Sequence, residues 1–139
     1  MDVAWNQVRL VGLPKDERVR LMSEVKILKD LDHKNIIKLY HSWIVTDKVT
    51  KEVSINFITE ASAQTLKKYA AKLKTNLDLR AVKSWSRQIL RGLDYLHSHD
   101  PPIVHRDLKC DNIFVNQNQV AARNLQLKNL YTLNPNPKP

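Results

Sequence analysis

The amino-acid sequence predicts an α+β fold, and three observations carry that expectation. Strand-like stretches rich in apolar and β-branched residues cluster in the first 60 residues around one amphipathic helix. The stretch from about 66 to 99 then turns almost wholly helical in its periodicity. A short apolar run, Ile113-Phe114-Val115, follows a polar loop after that helical stretch. Strands first and helices later, without strict alternation, is the α+β pattern.

Residues 3–10, Val-Ala-Trp-Asn-Gln-Val-Arg-Leu, read as a strand, and Gly12 and Pro14 break it. From Asp16 to Leu31 the spacing is helical, with Leu21, Val25, Leu28 and Leu31 at steps of four, three and three. Glu24 sits on that stripe or at its edge, where a carboxylate calls for a cationic partner. Asp32-His33-Lys34-Asn35 is a polar connection. Ile36 to Val45 reads as a strand with Ile37, Leu39 and Trp43 on one face. Thr46 to Glu52 is a polar hairpin loop before a strand from Val53 to Glu60. A short helix is expected over Leu66–Leu73.

The clearest element runs from Leu79 to His99, with Asp78 as its N-cap. Val82, Trp85, Ile89, Leu93 and Leu96 form its core stripe, and Asp100-Pro101-Pro102 ends it. Arg80, Lys83, Arg87 and Arg91 line another face of the same helix, which reads as solvated. The spacing of Trp5, Trp43 and Trp85 is that of core positions and asks for no binding role. Beyond Gln117 the period is lost. Residues 120–139 hold three basic residues, no acids and three terminal prolines, and are expected to be a disordered tail.

At 139 residues the chain is one domain's worth, and 42% hydrophobic content is ordinary for a globular protein. No apolar run approaches a membrane span, and Met1-Asp2-Val3-Ala4-Trp5 lacks the basic-then-apolar character of a secretory signal. A lone cysteine, Cys110, makes no internal disulfide, so a cytoplasmic location is expected. The net charge of +9 is spread along amphipathic segments, which argues against a nucleic-acid interface.

The chemistry concentrates in His105-Arg106-Asp107-Leu108-Lys109-Cys110-Asp111-Asn112. These residues match the protein-kinase catalytic loop, H-R-D-L-x-x-x-N. The spacing has a chemical reason: the Asp accepts the proton of a substrate hydroxyl, and an Asn five residues on holds a metal ion at the ATP phosphates. Asp107 is thus the candidate base, Asn112 the candidate metal ligand, and Lys109 stands where it meets the transferring phosphoryl charge. Cys110 is either a thiol activated by its cationic neighbour or simply a variable loop position.

The order of elements resembles a protein kinase from its third strand onward: a partial kinase-like fold, with an incomplete N-lobe sheet and αC-like helix, then the start of the helical C-lobe through the catalytic loop. Val3-Ala4-Trp5-Asn6, with Asn6 where the ATP-contacting lysine normally stands, narrows the likeness. So do Ser23-Glu24-Val25, His33-Lys34-Asn35-Ile36-Ile37, Ile55-Asn56-Phe57-Ile58-Thr59-Glu60 and the stretch from Arg87 through Asn116. Together they resemble the with-no-lysine (WNK) kinases, plant members above all, over about residues 2–119.

That resemblance implies a serine/threonine protein kinase using ATP and Mg2+, with protein substrates or related kinases as partners. It implies that Ala4 and Phe114 pack on adenine, that Thr59 is the gatekeeper, and that Glu60 and Ala61 begin the adenine-binding hinge. Glu24 matches the helix glutamate that pairs with the phosphate-binding lysine, which in this family comes from a preceding strand. The hinge, Glu60-Ala-Ser-Ala-Gln-Thr-Leu66, is one residue shorter than the family's and lacks its glycine.

Two features of the chain pull against catalysis. Gly12 and Gly92 are its only glycines, so no G-x-G-x-x-G phosphate loop lies within it. No Asp or Glu follows Asp111 to chelate magnesium as the Asp-Phe-Gly turn does. The expectation is a truncated piece of a kinase, inactive as this chain. The alternatives are a non-catalytic interaction module and an unstable truncated product.

Overall fold

A computed structural model describes residues 3–61, 64–73, 78–115, 125–127 and 131–132. They fall into two compact units, one made of Met1–Leu31 with Lys38–Ala61, the other of Asp32–Ile37 with Ser62–Pro139.

The first unit is an antiparallel sheet and a helix. Strands β1 (Val3–Arg9), β2 (Leu39–Thr46) and β3 (Val53–Glu60) stand in the order β1-β3-β2. Along β1 exposure alternates residue by residue, with Ala4, Asn6 and Val8 inward and Val3, Trp5, Gln7 and Arg9 outward. Their partners across the ladder, Thr59, Phe57 and Ile55, are buried. Helix α1 (Lys15–Asp30) contributes Val25 and Leu28 to this core, followed by Leu31, each less than 7% exposed. The predicted stripe is therefore the packed one.

Two sequence expectations change in this sheet. The second strand begins at Leu39, not Ile36, and a β-bulge at Tyr40 puts an extra residue between Leu39 and His41. Leu39 then pairs with Thr59 and Trp43 with Asn56, so the two lie on opposite faces and not on one. Trp5 is not a core residue: it is 68% exposed on the outer face. Its indole Nε1 donates to Asn56 Oδ1 at 3.1 Å, and Asn56 is only 1% exposed. The ring serves as a lid and a donor for a buried amide, which explains how an aromatic tolerates that position.

The hairpin from β2 to β3 is set by Asp47. Its Oδ1 accepts from the backbone N–H groups of Val49 and Thr50 at 2.8 and 2.7 Å. Those two donors, Thr50 first, hold its carboxyl below the usual carboxylate range.

The second unit is built on α3 (Leu79–His97). Asp78 caps it, with Oδ1 accepting from Arg80 N–H at 2.9 Å. Trp85 and Leu96 are buried, Ile89 and Leu93 partly so, and Gly92 joins them. Val82, expected in the stripe, is exposed, because it lies on the first turn, ahead of the packed part of the helix. Arg80, Lys83, Arg87 and Arg91 are all exposed, as their spacing indicates. The connection 32–37 docks on this helix: Tyr95 stacks on His33 at 4.7 Å and accepts from Asp32 N–H, and Asn35 donates to Gln88 Oε1. Asn35, Ile36 and Ile37 are buried there, so this stretch is core and not strand.

Around α3 lie β4 (Gln64–Thr65), α2 (Leu66–Lys72), β5 (Ile103–Val104), β6 (Ile113–Val115), β7 (Leu125–Leu127) and β8 (Tyr131–Thr132). They form the ladders β4-β6-β7 and β5-β8. The expected tail, 120–139, lies outside the described residues apart from β7 and β8. Among the described residues no helix is long and apolar enough to cross a membrane.

Candidate active site

The loop between β5 and β6 is held at both ends by buried apolar residues: Ile103 on entry, Ile113 and Val115 on exit. Within it the backbone makes a tight reversal. Arg106 has φ +59°, and Asp107 N–H donates to His105 O at 2.8 Å. An i→i+2 bond about a residue with positive φ is the rarer, strained kind of γ-turn. For a non-glycine residue such backbone costs about 1–3 kcal/mol, and such strain gathers where a side chain must be aimed. Here it sends His105 inward, 2% exposed, and turns Asp107 outward.

Asp107, Lys109 and Asn112 meet on this loop. The Asn112 side-chain amide donates both to Asp107 O and to Asp107 Oδ2, each at 2.8 Å. Lys109 Nζ stands 3.2 Å from Asp107 Oδ1. Asn112 N–H donates to Lys109 O at 2.8 Å and closes the turn that brings the three together. The Lys109 ammonium first, and then the Asn112 amide, hold the Asp107 carboxyl below the usual carboxylate range. A carboxylate only accepts, so the Asn112 amide must present its nitrogen to Asp107. Its Oδ1 is thereby turned away and left as a hard oxygen donor. Magnesium takes one or two such protein oxygens and fills its octahedron with phosphate and water. Among the described residues no group of three or more His, Cys, Asp or Glu could hold a metal ion. Asn112 Oδ1 is a single hard donor, which suits magnesium only where phosphate and water supply its remaining ligands.

Two residues that sequence reasoning passed over brace the loop. Lys67, on α2, pairs with Asp111 Oδ1 at 3.2 Å and donates its backbone N–H to Cys110 O at 3.2 Å. Nothing in the spacing signals this contact, since it joins segments far apart in sequence. Cys110 itself is exposed.

The nucleotide-side candidates divide between the units. In the first, Ala4 stands opposite Thr59, and Asn6 Nδ2 donates to Thr59 Oγ1 at 3.4 Å and to Ala4 O at 3.3 Å. Ala4, Asn6 and Thr59 thus share one sheet face. Glu60 is engaged with Lys38: its N–H donates to Lys38 O at 3.1 Å and its Oε1 accepts from Lys38 N–H at 2.7 Å. Ala61 ends this unit and is partly exposed, while the next two hinge positions lie outside the described residues. Glu24 is half-buried on α1. In the second unit Phe114 is partly exposed on β6, opposite Thr65.

A mixed sheet-and-helix unit, a helical unit, and an Asp-Lys-Asn cluster on a strained loop between two short strands make a partial protein-kinase-like α+β fold. The sequence agrees: it matches the protein kinase domain family over residues 2–128. The chain belongs to the protein kinase family, and its relatives there are with-no-lysine kinases. It is 52% identical over 119 residues to the probable serine/threonine-protein kinase WNK4 of Arabidopsis thaliana, covering 84% of this chain and 20% of that protein. It is 47% identical over 123 residues to the probable serine/threonine-protein kinase WNK6 of Oryza sativa subsp. japonica, covering 85% of this chain and 27% of that protein. The chain thus spans only about a quarter or less of the length of these relatives.

Proposed function

We propose that this chain carries the catalytic loop of a serine/threonine protein kinase, with Asp107 as proton acceptor, Asn112 as magnesium ligand and Lys109 as the cation at the transferring phosphoryl group. The observation that carries this reading is the Asn112–Asp107 pairing beside Lys109. Asp107, held ionised at neutral pH, accepts the proton of a Ser or Thr hydroxyl while that oxygen forms a bond to the γ-phosphorus of ATP and the bond to ADP breaks. Its low basicity suits a loose transition state, in which the hydroxyl proton need leave only late. Lys109 offsets charge on the phosphoryl oxygens. Asn112 would hold a magnesium ion, which would supply positive charge against that of the phosphates.

On the nucleotide side, the reading assigns Ala4 and Phe114 to the adenine faces, Thr59 to the gatekeeper position, and Glu60 and Ala61 to the start of the hinge. Glu24 is the partner of a phosphate-binding lysine. Protein substrates and ATP are the partners, and the free thiol of Cys110 suits a reducing, cytoplasmic compartment.

The second reading, a non-catalytic interaction module, draws on Asn6. Its amide is neutral and engaged with Thr59 and Ala4, so position 6 offers no cation to a triphosphate.

The test is an exchange. Residues 3–115 replace their counterpart in the Arabidopsis relative, and the chimera receives Mg-ATP with Ser, Thr and Tyr peptides. Phosphate on Ser or Thr, dependent on magnesium, is the expected result. A folded chimera that transfers none supports the second reading.

A further inference from the structure

The loop that holds the Asp-Lys-Asn cluster carries a second carboxylate, which phosphoryl transfer leaves without a task. Asp111 stands two residues after Lys109, as Asp107 stands two residues before it. Lys109 thus has two anionic neighbours of the same kind. Its ammonium is a point charge on a flexible four-carbon stem and has no geometric preference between them. It stands 3.2 Å from Asp107 Oδ1. Asp111 is served from elsewhere, by Lys67 Nζ at 3.2 Å from its Oδ1.

Magnitude decides whether this matters. Side-chain exposure runs from 44% to 68% across the two pairs. Ion pairs this open to water are weak, so little separates Lys109 on Asp107 from Lys109 on a bare Asp111. Asp107 also receives the Asn112 amide, which would leave a bare Asp111 the less satisfied of the two. The base of Lys67 is fixed independently of its charge. Thr65 caps α2 by accepting from Lys68 N–H and pairs with Phe114 across the ladder, and Lys67 N–H donates to Cys110 O. Loss of the ammonium therefore leaves the loop anchored and isolates the effect of charge.

We propose that Lys67 is a positioning residue of the catalytic loop: by occupying Asp111 it keeps the Lys109 ammonium on Asp107 and available to the phosphoryl group. The consequence for rate rests on the phosphoryl-transfer reading, whereas the arrangement of charge does not.

Two measurements test it. On the full chain, a double-mutant cycle of Asp107→Asn and Lys109→Met in urea reads the coupling of that pair. The coupling should favour the native pair by about two- to fivefold in the folding constant, persist in Lys67→Arg and vanish in Lys67→Met. Adding Asp111→Asn to Lys67→Met should restore it. In the exchange chimera, Lys67→Met should lower kcat for Ser/Thr transfer by a similar factor, Asp111→Asn should retain it, and the two together should recover it. A plain brace between α2 and the loop would behave otherwise: either single loss breaks the pair, so both single variants and the double would fall alike. The proposal is overturned if the coupling is absent from the native chain, if it survives Lys67→Met, or if removal of Asp111 fails to restore what Lys67→Met loses. An inactive chimera would count against phosphoryl transfer, and the urea cycle would still decide how the charges are paired.

Discussion

Asn112 reaches back five residues to give its side-chain amide to both the backbone carbonyl and the carboxylate of Asp107, at 2.8 Å each. One amide thus fixes the direction of the candidate base and, by chemistry, the direction of its own oxygen. Loss of Asn112 therefore reaches beyond the loss of a candidate metal ligand.

Asn112→Ala should raise the pKa of Asp107 toward the ordinary carboxylate value, and Lys109→Met should raise it further, because Lys109 is the larger cause of its depression. Carbon-detected NMR of labelled aspartate across a pH series reads this directly. The folded pKa lies below the unfolded one. The stabilisation from the ionised form is therefore fully present above about pH 3.9 and lost as pH falls through the folded value. The variants should flatten that part of the stability profile.

A second pH dependence comes from His33. Burial, and then the charge of Lys34, push its pKa down, while its ring stacks on Tyr95 and accepts from Asn35 N–H. The sign is that of a depressed group: stability is present above the unfolded value of about 6.5 and lost as pH falls through the folded value. Urea titrations over this range should show the loss in the native chain and not in His33→Gln.

Trp5→Phe should destabilise far more than its exposure suggests. Little apolar surface is lost from a residue 68% exposed, but the buried Asn56 Oδ1 loses its indole donor. An unsatisfied buried acceptor costs about 1–3 kcal/mol, measurable as a lower urea midpoint. A substitution that changes nothing would show that the indole bond does not form in solution.

Leu96→Ala tests whether the second unit has a packed core. Leu96 is 0% exposed on α3. Truncation of a leucine in such a place costs about 2–5 kcal/mol, and the thermal midpoint should fall accordingly. Leu90→Ala, at 63% exposure on the same helix, should be nearly silent.

Much of this was legible from residue pattern alone. The stripe Val25, Leu28, Leu31 is packed as its helical step requires, and Asp78 caps the helix it precedes. The loop residues Asp107, Lys109 and Asn112 converge because their spacing leaves one turn between them. What pattern could not supply were choices made by the backbone and by distant segments. The bulge at Tyr40 reverses which face Trp43 occupies, and a period-two reading has no means of counting an extra residue. The outward Trp5 is explained only by Asn56 across the sheet, and the brace from Lys67 to Asp111 only by the docking of α2 against the loop. Burial of Asn35 shows the same limit: a polar connection by composition is a core segment by contact.

The most direct test of the central claim is a rate ratio. In the exchange chimera, serine/threonine transfer from Mg-ATP is measured with Asp107 native and with Asp107→Asn, a change that keeps size and removes the proton acceptor. The expected result is a fall of about 10²- to 10⁴-fold with folding intact, the range a positioned general base supplies. An unchanged rate in the folded Asn variant would contradict the assignment of Asp107 as the group on which phosphoryl transfer turns.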